Sequence, residues 1–217
     1  MKLAVFDCDG TLVDSQANIL RAMHSSFARL GLPDPDPHAV RRVVGLSLVE
    51  AMQALLPEAE AELHARLAED YKHAFQRLRA DNRLDPEPMF EGVRELLAEL
   101  EAGGWLLAVA TGKSDRGLKL CLEHHGIQQH FVSLHTADRH PSKPHPAMLH
   151  ACLADTGVAP DQAVIIGDTA FDMAMGVAAQ VRAIGVDWGY HDRHDLIDAG
   201  AAAVATDAAH LHALLHG

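Results

Sequence analysis

Short apolar runs alternate with amphipathic helical patterns along most of this 217-residue chain, and this alternation limits its fold more than any other feature. The first run, Leu3–Phe6, and the later runs Trp105–Ala110, Ala163–Ile166 and Val181–Val186 each adjoin a Gly or an Asp. Apolar runs this short between turn residues indicate buried strands. Because helices separate consecutive strands, the strands must run parallel. We therefore predict an α/β protein with a doubly wound, Rossmann-like parallel sheet core.

The segment between the first two strands has a different pattern. Apolar residues from Ile19 to Leu30, and a stretch rich in Ala, Glu, Leu and Arg from Glu58 to Leu78, recur at helical spacing. Ser47, with Glu50 three residues later, has the spacing of a capping box. We predict an inserted all-helical cap domain at residues 15–86 and a catalytic core made of residues 1–14 and 87–217.

The composition argues against several classes of protein. The 18 basic and 30 acidic residues give a formal charge of -12, whereas a nucleic-acid-binding protein normally carries a basic face. Apolar runs stay far below the roughly 18 residues that span a bilayer, and the chain opens without a signal-like stretch. We expect a cytoplasmic protein that binds neither nucleic acid nor membrane.

The 3 cysteines are too few and too widely spaced for a disulfide framework, and the 16 scattered histidines are expected mostly at the surface.

Two carboxylates follow the first strand. Asp7 and Asp9 are two residues apart, so in an extended chain they face the same way, at the sheet edge where open α/β proteins bind ligands. Ionised carboxylates this close repel one another, which calls for a cation or a shared proton. Mg2+ binds carboxylates, and Asp is a nucleophile toward phosphoryl groups. In one interpretation, Asp7 is the nucleophile that attacks phosphorus and Asp9 handles the proton of the leaving group. The other is a solvated turn, in which Asp and Gly are frequent.

Later strand ends and loops carry further candidate residues. Thr111 and Gly112 follow a strand and offer a hydroxyl and a backbone N–H to a phosphate oxygen, although Thr-Gly is also an ordinary turn. Lys143 stands among three prolines, which stiffen its loop and favour a fixed positive charge over a loose surface lysine. Asp168 ends a buried strand and suits a metal ligand, whereas helix capping alone would explain Asp172.

These motifs, in this order, resemble those of the haloacid dehalogenase superfamily. Residues 7–11, DCDGT, match the first motif, DxDGT. Thr111, SKPHP at residues 142–146 and GDTAFD at residues 167–172 resemble the second, third and fourth motifs. The second aspartate of the first motif separates the chain from the dehalogenases and makes it similar to the phosphohydrolases. The helical insert matches the superfamily's helical cap, and the loop at Gly185–Tyr190 is similar to one in phosphoglycolate phosphatase-like members.

The resemblance implies a phosphatase that uses Mg2+ and acts on a small phosphorylated metabolite. Asp7 would form an aspartyl-phosphate, while Asp9 would protonate the leaving group and then activate water, with Thr111 and Lys143 as the other catalytic residues. The residues implied in phosphate binding are Cys8, Asp9, Gly10, Thr11, Thr111, Gly112 and Lys143. The implied metal ligands are Asp7, Asp9 and Asp168, with Asp172 acting through water or orienting the site. Specificity would come from a cap loop containing Gly45, Leu46, Ser47 and Glu50.

Several alternatives stay open. A β-phosphoglucomutase-like mutase or a pyrophosphatase would use the same residues, but such mutases tend to carry an Arg in the cap loop, where this chain has Leu48 and Val49. Arg41 and Arg42 precede the loop and either meet an acidic substrate or form a solvated helix face. The non-enzyme alternative is a phospho-receiver-like switch, which needs neither a cap nor Asp9. The identity of the substrate and the oligomeric state, monomer or dimer, also stay open.

Overall fold

The computed structural model describes residues 1–216 and contains one parallel sheet. Its strands are β1 (Lys2–Phe6), β2 (Trp105–Thr111), β3 (Phe131–Thr136), β4 (Ala163–Gly167), β5 (Arg182–Val186) and β6 (Ala203–Ala205). Their order across the sheet is β3-β2-β1-β4-β5-β6, and every neighbouring pair is parallel. The order reverses direction at β1, as in a doubly wound fold, so the predicted fold class is confirmed.

Helices fill the connections between the strands. Those between β1 and β2 are α1 (Gln16–Arg29), α2 (Pro37–Val43), α3 (Leu48–Leu55), α4 (Ala61–Ala80) and α5 (Val93–Ala102). Those that follow β2 are α6 (Asp115–His125), α7 (Ala147–Thr156), α8 (Ala170–Ala178), α9 (Arg193–Asp198) and α10 (Ala208–His216), with short 3-10 turns at Gln128–His130 and Pro160–Gln162. Among residues 1–216, no helix combines the length and the apolar character that crossing a membrane would require.

The apolar residues of β1 serve both faces of the sheet. Ala4 and Phe6 belong to one core cluster, packed with α5, α6 and α10, whereas Leu3 and Val5 belong to another, packed with α7, α8 and α9. A strand that is buried on both faces reads as a continuous apolar run, which is why β1 shows no alternation. The helices α1 to α4 enclose a third cluster of their own, and Met52 and Leu67 are completely buried within it.

The structure corrects local details of the helical pattern. α4 begins at Ala61 rather than Glu58, and α6 begins at Asp115, after Ser114 caps it. The capping box expected at Ser47 is wrong: Ser47 occupies the N-cap position of α3, but its side chain makes no capping hydrogen bond. Its backbone N–H instead donates to Ser142 Oγ at 2.7 Å. A contact with a distant loop therefore replaces the local motif.

Candidate active site

Three strands bring acidic and hydroxyl side chains to one point at the carboxyl edge of the sheet. Asp7 follows β1, Thr111 ends β2 and Asp168 follows β4, and each of these side chains is almost completely buried. The register places Phe6 beside both Val109 and Ile166, so β1 lies between the other two strands. The expectation that the motif residues meet at this edge follows from parallel topology, and the structure shows them there.

A buried cluster of carboxylates lies around one lysine. Oxygens of Asp7, Asp168 and Asp172 all lie within 4.8 Å of one another. Lys143 Nζ lies 3.0 Å from Asp7 Oδ1 and donates to Asp172 Oδ1 at 2.6 Å. With its three carboxylates ionised and its lysine protonated, the cluster has a net charge of about minus two in a site of low polarity, where unbalanced charge is costly. A divalent cation bound here, or a proton on one of the carboxylates, would offset this charge.

Further hydrogen bonds fix the orientation of two of these carboxylates. Thr11 Oγ1 donates to Asp168 Oδ1 at 2.7 Å, and the backbone N–H of Tyr190 donates to Asp168 Oδ2 at 2.9 Å. Asp172 and Thr169 form a capping box at the start of α8, so Asp172 caps its helix and pairs with Lys143 at the same time. The cluster is therefore built before any ligand arrives.

Glycine is required where the first motif passes Asp168. Gly10 has a φ of +84°, and a Cβ at this position would lie only 2.1 Å from Asp168 Oδ2. Both the backbone conformation and the space exclude a side chain here. This close approach lets Thr11 reach the Asp168 carboxylate from the same loop.

Burial and neighbouring charges shift the ionisation of the cluster. Burial raises the pKa of Asp7 to about 6; Lys143 opposes this shift, and the charges of Asp172 and Asp9 add to it. The pKa of Asp168 is raised well above its usual range, first by burial and then by the charges of Asp7 and Asp172. Burial alone would lower the pKa of Lys143, but Asp172 and Asp7 outweigh it and raise that pKa, so the lysine stays protonated.

The donor set of this cluster fits a hard divalent cation. The carboxylates of Asp7, Asp168 and Asp172 are all buried, and each offers an oxygen within 4.8 Å of the others. Carboxylate oxygens are the ligands that Mg2+ prefers in proteins. The structure therefore offers Asp7, Asp168 and Asp172 together as candidate ligands. The sequence predicts Asp7 and Asp168 as direct ligands and Asp172 as a residue that acts through water or orients the site, and these roles stay predictions.

The carboxylate of Asp9 lies apart from this cluster. Asp9 Oδ1 accepts a hydrogen bond from Lys113 Nζ at 2.5 Å and another from Ser15 Oγ. Ser15 in turn lies 3.4 Å from the Tyr190 hydroxyl. Asp9 and Asp7 line the same cavity, but the Asp9 carboxylate is not among the three that lie within 4.8 Å of one another, and its expected part in metal binding stays a prediction.

Sequence reasoning gave no role to Lys113 or Ser15. Burial would lower the pKa of Lys113, but the neighbouring Asp9 outweighs it and raises that pKa well above its ordinary value. A signal for Lys113 did exist, since it directly follows Thr111 and Gly112 at a strand end. Ser15 carried no such signal, because it looked like the cap of α1, where its side chain makes no capping hydrogen bond.

The backbone N–H groups of the first motif bond mostly within their own loop. Gly10 N–H donates to Val13 O at 2.9 Å, and Thr11 N–H donates to Cys8 O at 3.3 Å. With the Cys8 N–H directed to Asp7, these groups stabilise the loop, and their expected role in phosphate binding stays a prediction. The Cys8 thiol packs 3.8 Å from Cys121 Sγ in the core.

The cap loop lies directly over the second motif. A Cβ at Gly112 would lie 2.6 Å from Gly45 O and 2.7 Å from Leu46 O, so the lack of a side chain allows this approach. Gly45 and Leu46 also line the cavity, whereas Glu50 is exposed to solvent and Ser47 contacts Ser142. Two of the four predicted cap-loop residues thus face the site.

Arg41 and Arg42 bind the core rather than the cavity. Arg41 Nε and Nη2 donate to the carbonyls of Tyr190 and Gly189 at 3.0 and 2.6 Å. Arg42 Nη1 lies 2.5 Å from Asp195 Oδ2. Both arginines therefore hold the helical segment against the sheet, and neither lines the cavity.

Comparison with known proteins gives consistent matches over the whole fold. The family model described as haloacid dehalogenase-like hydrolase matches residues 4–186. The chain is 33% identical over 210 residues to tyrosine-protein kinase PtkA of Mycobacterium tuberculosis (strain CDC 1551 / Oshkosh), covering 96% of this chain and 69% of that protein. It is 33% identical over 219 residues to a phosphoglycolate phosphatase of Chromobacterium violaceum, covering 99% and 96%. The crystal structure of a hydrolase from Pseudomonas syringae superposes with a TM-score of 0.87 at 25% identity, covering 100% and 98%.

Proposed function

The chain belongs to the haloacid dehalogenase-like hydrolase family, and on that premise we propose that it is a Mg2+-dependent phosphatase of small phosphate monoesters. One observation carries the proposal. The buried Asp7 has one oxygen without a partner in the described chain, beside Lys143 and two further carboxylates, at the end of a large cavity. A nucleophile, a fixed cation and a candidate cation site are thereby assembled at one point.

In the first step, Asp7 attacks phosphorus and the bond to the leaving oxygen breaks. Its Oδ1 is held by the Cys8 N–H and Lys143, which leaves Oδ2 for bonding. Asp9, which lines the same cavity, must enter this step protonated and gives that proton to the leaving oxygen. Thr111, buried beside Asp7, contributes a hydroxyl to the phosphoryl oxygens.

In the second step, water hydrolyses the aspartyl-phosphate. Asp9 takes a proton from the water, which attacks phosphorus and releases the Asp7 carboxylate. Lys143 stays protonated throughout and offsets the negative charge that builds up on the phosphoryl oxygens. Mg2+ held by Asp7, Asp168 and Asp172 would neutralise further charge on those oxygens.

We propose that the helical segment is a cap domain, because it has an apolar core of its own. Helices α1 to α4 enclose their own apolar cluster, which supports a cap domain at residues 15–86 over a core of residues 1–14 and 87–217. The loop at Gly45 and Leu46 lies against Gly112. We infer that this loop excludes bulk water from the phosphoryl group and contacts the rest of the substrate.

The test is phosphate release from a panel of phosphate esters with and without Mg2+. The panel contains 2-phosphoglycolate, sugar phosphates, nucleotides and pyrophosphate. Asp7→Asn should lower the rate by at least about a thousandfold, since the nucleophile is lost. Asp161→Asn is the matched control, because Asp161 is exposed before β4. Absence of Mg2+-dependent release from every compound would contradict the proposal.

Other reactions of the same nucleophile give different products. A phosphosugar mutase would interconvert sugar phosphates without releasing phosphate, and a pyrophosphatase would act on pyrophosphate alone. The name of the mycobacterial relative adds phosphate transfer from ATP to tyrosine. Analysis of the same samples for sugar phosphate isomers would detect a mutase, and analysis for phosphotyrosine would detect a kinase. A receiver-like switch would give phosphorylated Asp7 without turnover.

A further inference from the structure

The cavity at the candidate site is much larger than a phosphate group. Its volume is about 1000 Å3, at the upper end for sites that enclose drug-sized ligands. The nucleophile Asp7 lines this cavity, and helices α1 to α4 supply much of the wall. A substrate as small as a two-carbon acid would leave most of this space to water.

The wall that the helical segment contributes is predominantly apolar. Apolar and aromatic side chains recur on all four helices and on the loop before α3. They include Met23, Val44, Leu46, Leu48, Tyr71 and Phe75. Several are only half-buried within the protein, so they keep surface that a ligand can cover. Burial of such surface favours an apolar ligand.

Two aromatic rings lie along this wall. Tyr71 and Phe75 are one helical turn apart on α4, with ring centroids 5.3 Å apart. Burial raises the pKa of Tyr71, and the charges of Lys113 and Asp9 also act on it. Both rings line the cavity together with Asp9 and Lys113.

The charges that line the cavity do not favour a second anionic group. The acidic residues are Asp7, Asp9, Asp85, Glu87, Glu123 and Asp138, and the basic ones are Lys72, Arg79, Lys113 and Arg116. Ion pairs already occupy two of the four bases, Lys113 and Lys72, and four of the six acids, Asp7, Asp9, Asp85 and Glu123. An additional carboxylate or phosphate on the substrate would therefore find no excess of positive charge along the cavity.

We propose that this cavity selects phosphate monoesters whose organic part is an uncharged alkyl or aryl group, with Phe75 as a specificity-determining residue. The proposal rests on the proposed phosphatase function and narrows its substrate class. It excludes 2-phosphoglycolate as the preferred substrate, because the carboxylate of that compound would face the apolar wall.

A series of n-alkyl phosphates from ethyl to octyl tests the size and polarity of the site. The leaving alcohols have nearly equal acidity, so differences in kcat/KM report binding of the chain. We expect kcat/KM to rise about two- to fourfold per methylene until the wall is covered. Isobutyl phosphate, in which two methyl groups replace the carboxylate oxygens of 2-phosphoglycolate, should be hydrolysed at least about tenfold more efficiently than 2-phosphoglycolate.

Variants of matched size assign the effect to Phe75. Phe75→Leu keeps an apolar side chain, so kcat/KM should still rise with the length of the alkyl chain. Phe75→Gln introduces a polar side chain of similar volume to Leu, so kcat/KM should no longer depend on chain length, and the change should appear in KM. Arg77→Gln is the control, because Arg77 is exposed on the same helix and does not line the cavity. Thermal unfolding of each variant shows whether α4 remains folded.

Non-hydrolysable n-alkylphosphonates separate this proposal from the phosphatase assignment. Their dissociation constants, measured by calorimetry with Mg2+, should fall with chain length in the wild-type protein and in Phe75→Leu. A flat series, or preference for 2-phosphoglycolate over isobutyl phosphate, overturns the substrate class and leaves the phosphatase intact. Tighter binding of longer phosphonates without hydrolysis of any ester overturns the phosphatase and supports the apolar site.

Discussion

Removing the charge of Asp7 should stabilise the metal-free protein while it abolishes activity. Asp7 is 1% exposed, one of its oxygens has no partner within residues 1–216, and its neighbours include Asp172. Asn at this position keeps the shape and still accepts from the Cys8 N–H, but it carries no charge. The substitution therefore measures what the folded protein loses by keeping an ionised nucleophile in a buried site.

The magnitude follows from the raised pKa. Well below pH 3.8 the Asp7 carboxyl is protonated in the folded and in the unfolded chain, so it contributes no pH-dependent loss. As the pH rises, the unfolded chain loses this proton near its ordinary pKa of 3.8 and the folded chain only near 6, so stability falls across this window. The difference corresponds to about 3 kcal/mol of unfolding free energy above pH 6. For a chain of this length that is a Tm difference of about 6–12 °C.

The assay compares thermal unfolding of the wild-type protein and Asp7→Asn in EDTA between pH 4 and pH 8. We expect the two Tm values to agree near pH 4 and the variant to become more stable as the pH rises. Saturating Mg2+ should raise the Tm of the wild-type protein more than that of the variant, because a ligand stabilises the state that binds it. Asp161→Asn should follow the wild-type protein at every pH.

Two results would refute this reasoning. A difference in Tm that stays constant from pH 4 to pH 8 would mean that the Asp7 carboxyl has an ordinary pKa in the folded protein. A variant that is less stable than the wild-type protein at pH 7 in EDTA would mean that Lys143 stabilises the charge of Asp7 by more than burial costs.

Three other substitutions test the arrangement of the site. Lys143→Met leaves buried carboxylates without their cation and should lower the unfolding free energy by about 3–5 kcal/mol in denaturant titrations, and an unchanged midpoint would contradict the ion pairs. Gly112→Ala places a Cβ 2.6 Å from Gly45 O, so it should displace the cap loop and raise KM; unchanged steady-state kinetics would show that the loop is not seated there. Thr11→Val removes the hydrogen bond to Asp168 and should raise the Mg2+ concentration for half-maximal activity about tenfold, whereas an unchanged Mg2+ titration would mean that this bond does not orient a ligand.

The order of strands and helices was predictable because each element has a local signal. The apolar run Leu3–Phe6 before Asp7 predicts β1, which spans Lys2–Phe6 in the structure. The position of acids and hydroxyls directly after strands also follows from local sequence. Parallel topology then brings Asp7, Thr111 and Asp168 to the same edge of the sheet.

Pairings between distant residues were not predictable in this way. The contact between Lys113 and Asp9 joins residues 104 positions apart, and Arg41 reaches carbonyls 148 and 149 positions later. The capping box expected at Ser47 failed for the same reason, because the loop containing Ser142 contacts its backbone. The local preference of a sequence for a capping box is weak, and a tertiary contact to the same backbone group overrides it.

The sequence by itself therefore determined the strand and helix pattern, the run of helices between β1 and β2, and the positions of acids and hydroxyls at the strand ends. These depend on the spacing of apolar residues and on chemistry carried within a few positions. Only the tertiary structure decided that Lys143 serves Asp7 and Asp172, that Lys113 holds Asp9, and that an apolar wall faces them. Charge pairing and cavity shape depend on distances between residues far apart in the chain. Strand order and the packing of the helices set these distances, and no local sequence pattern encodes them.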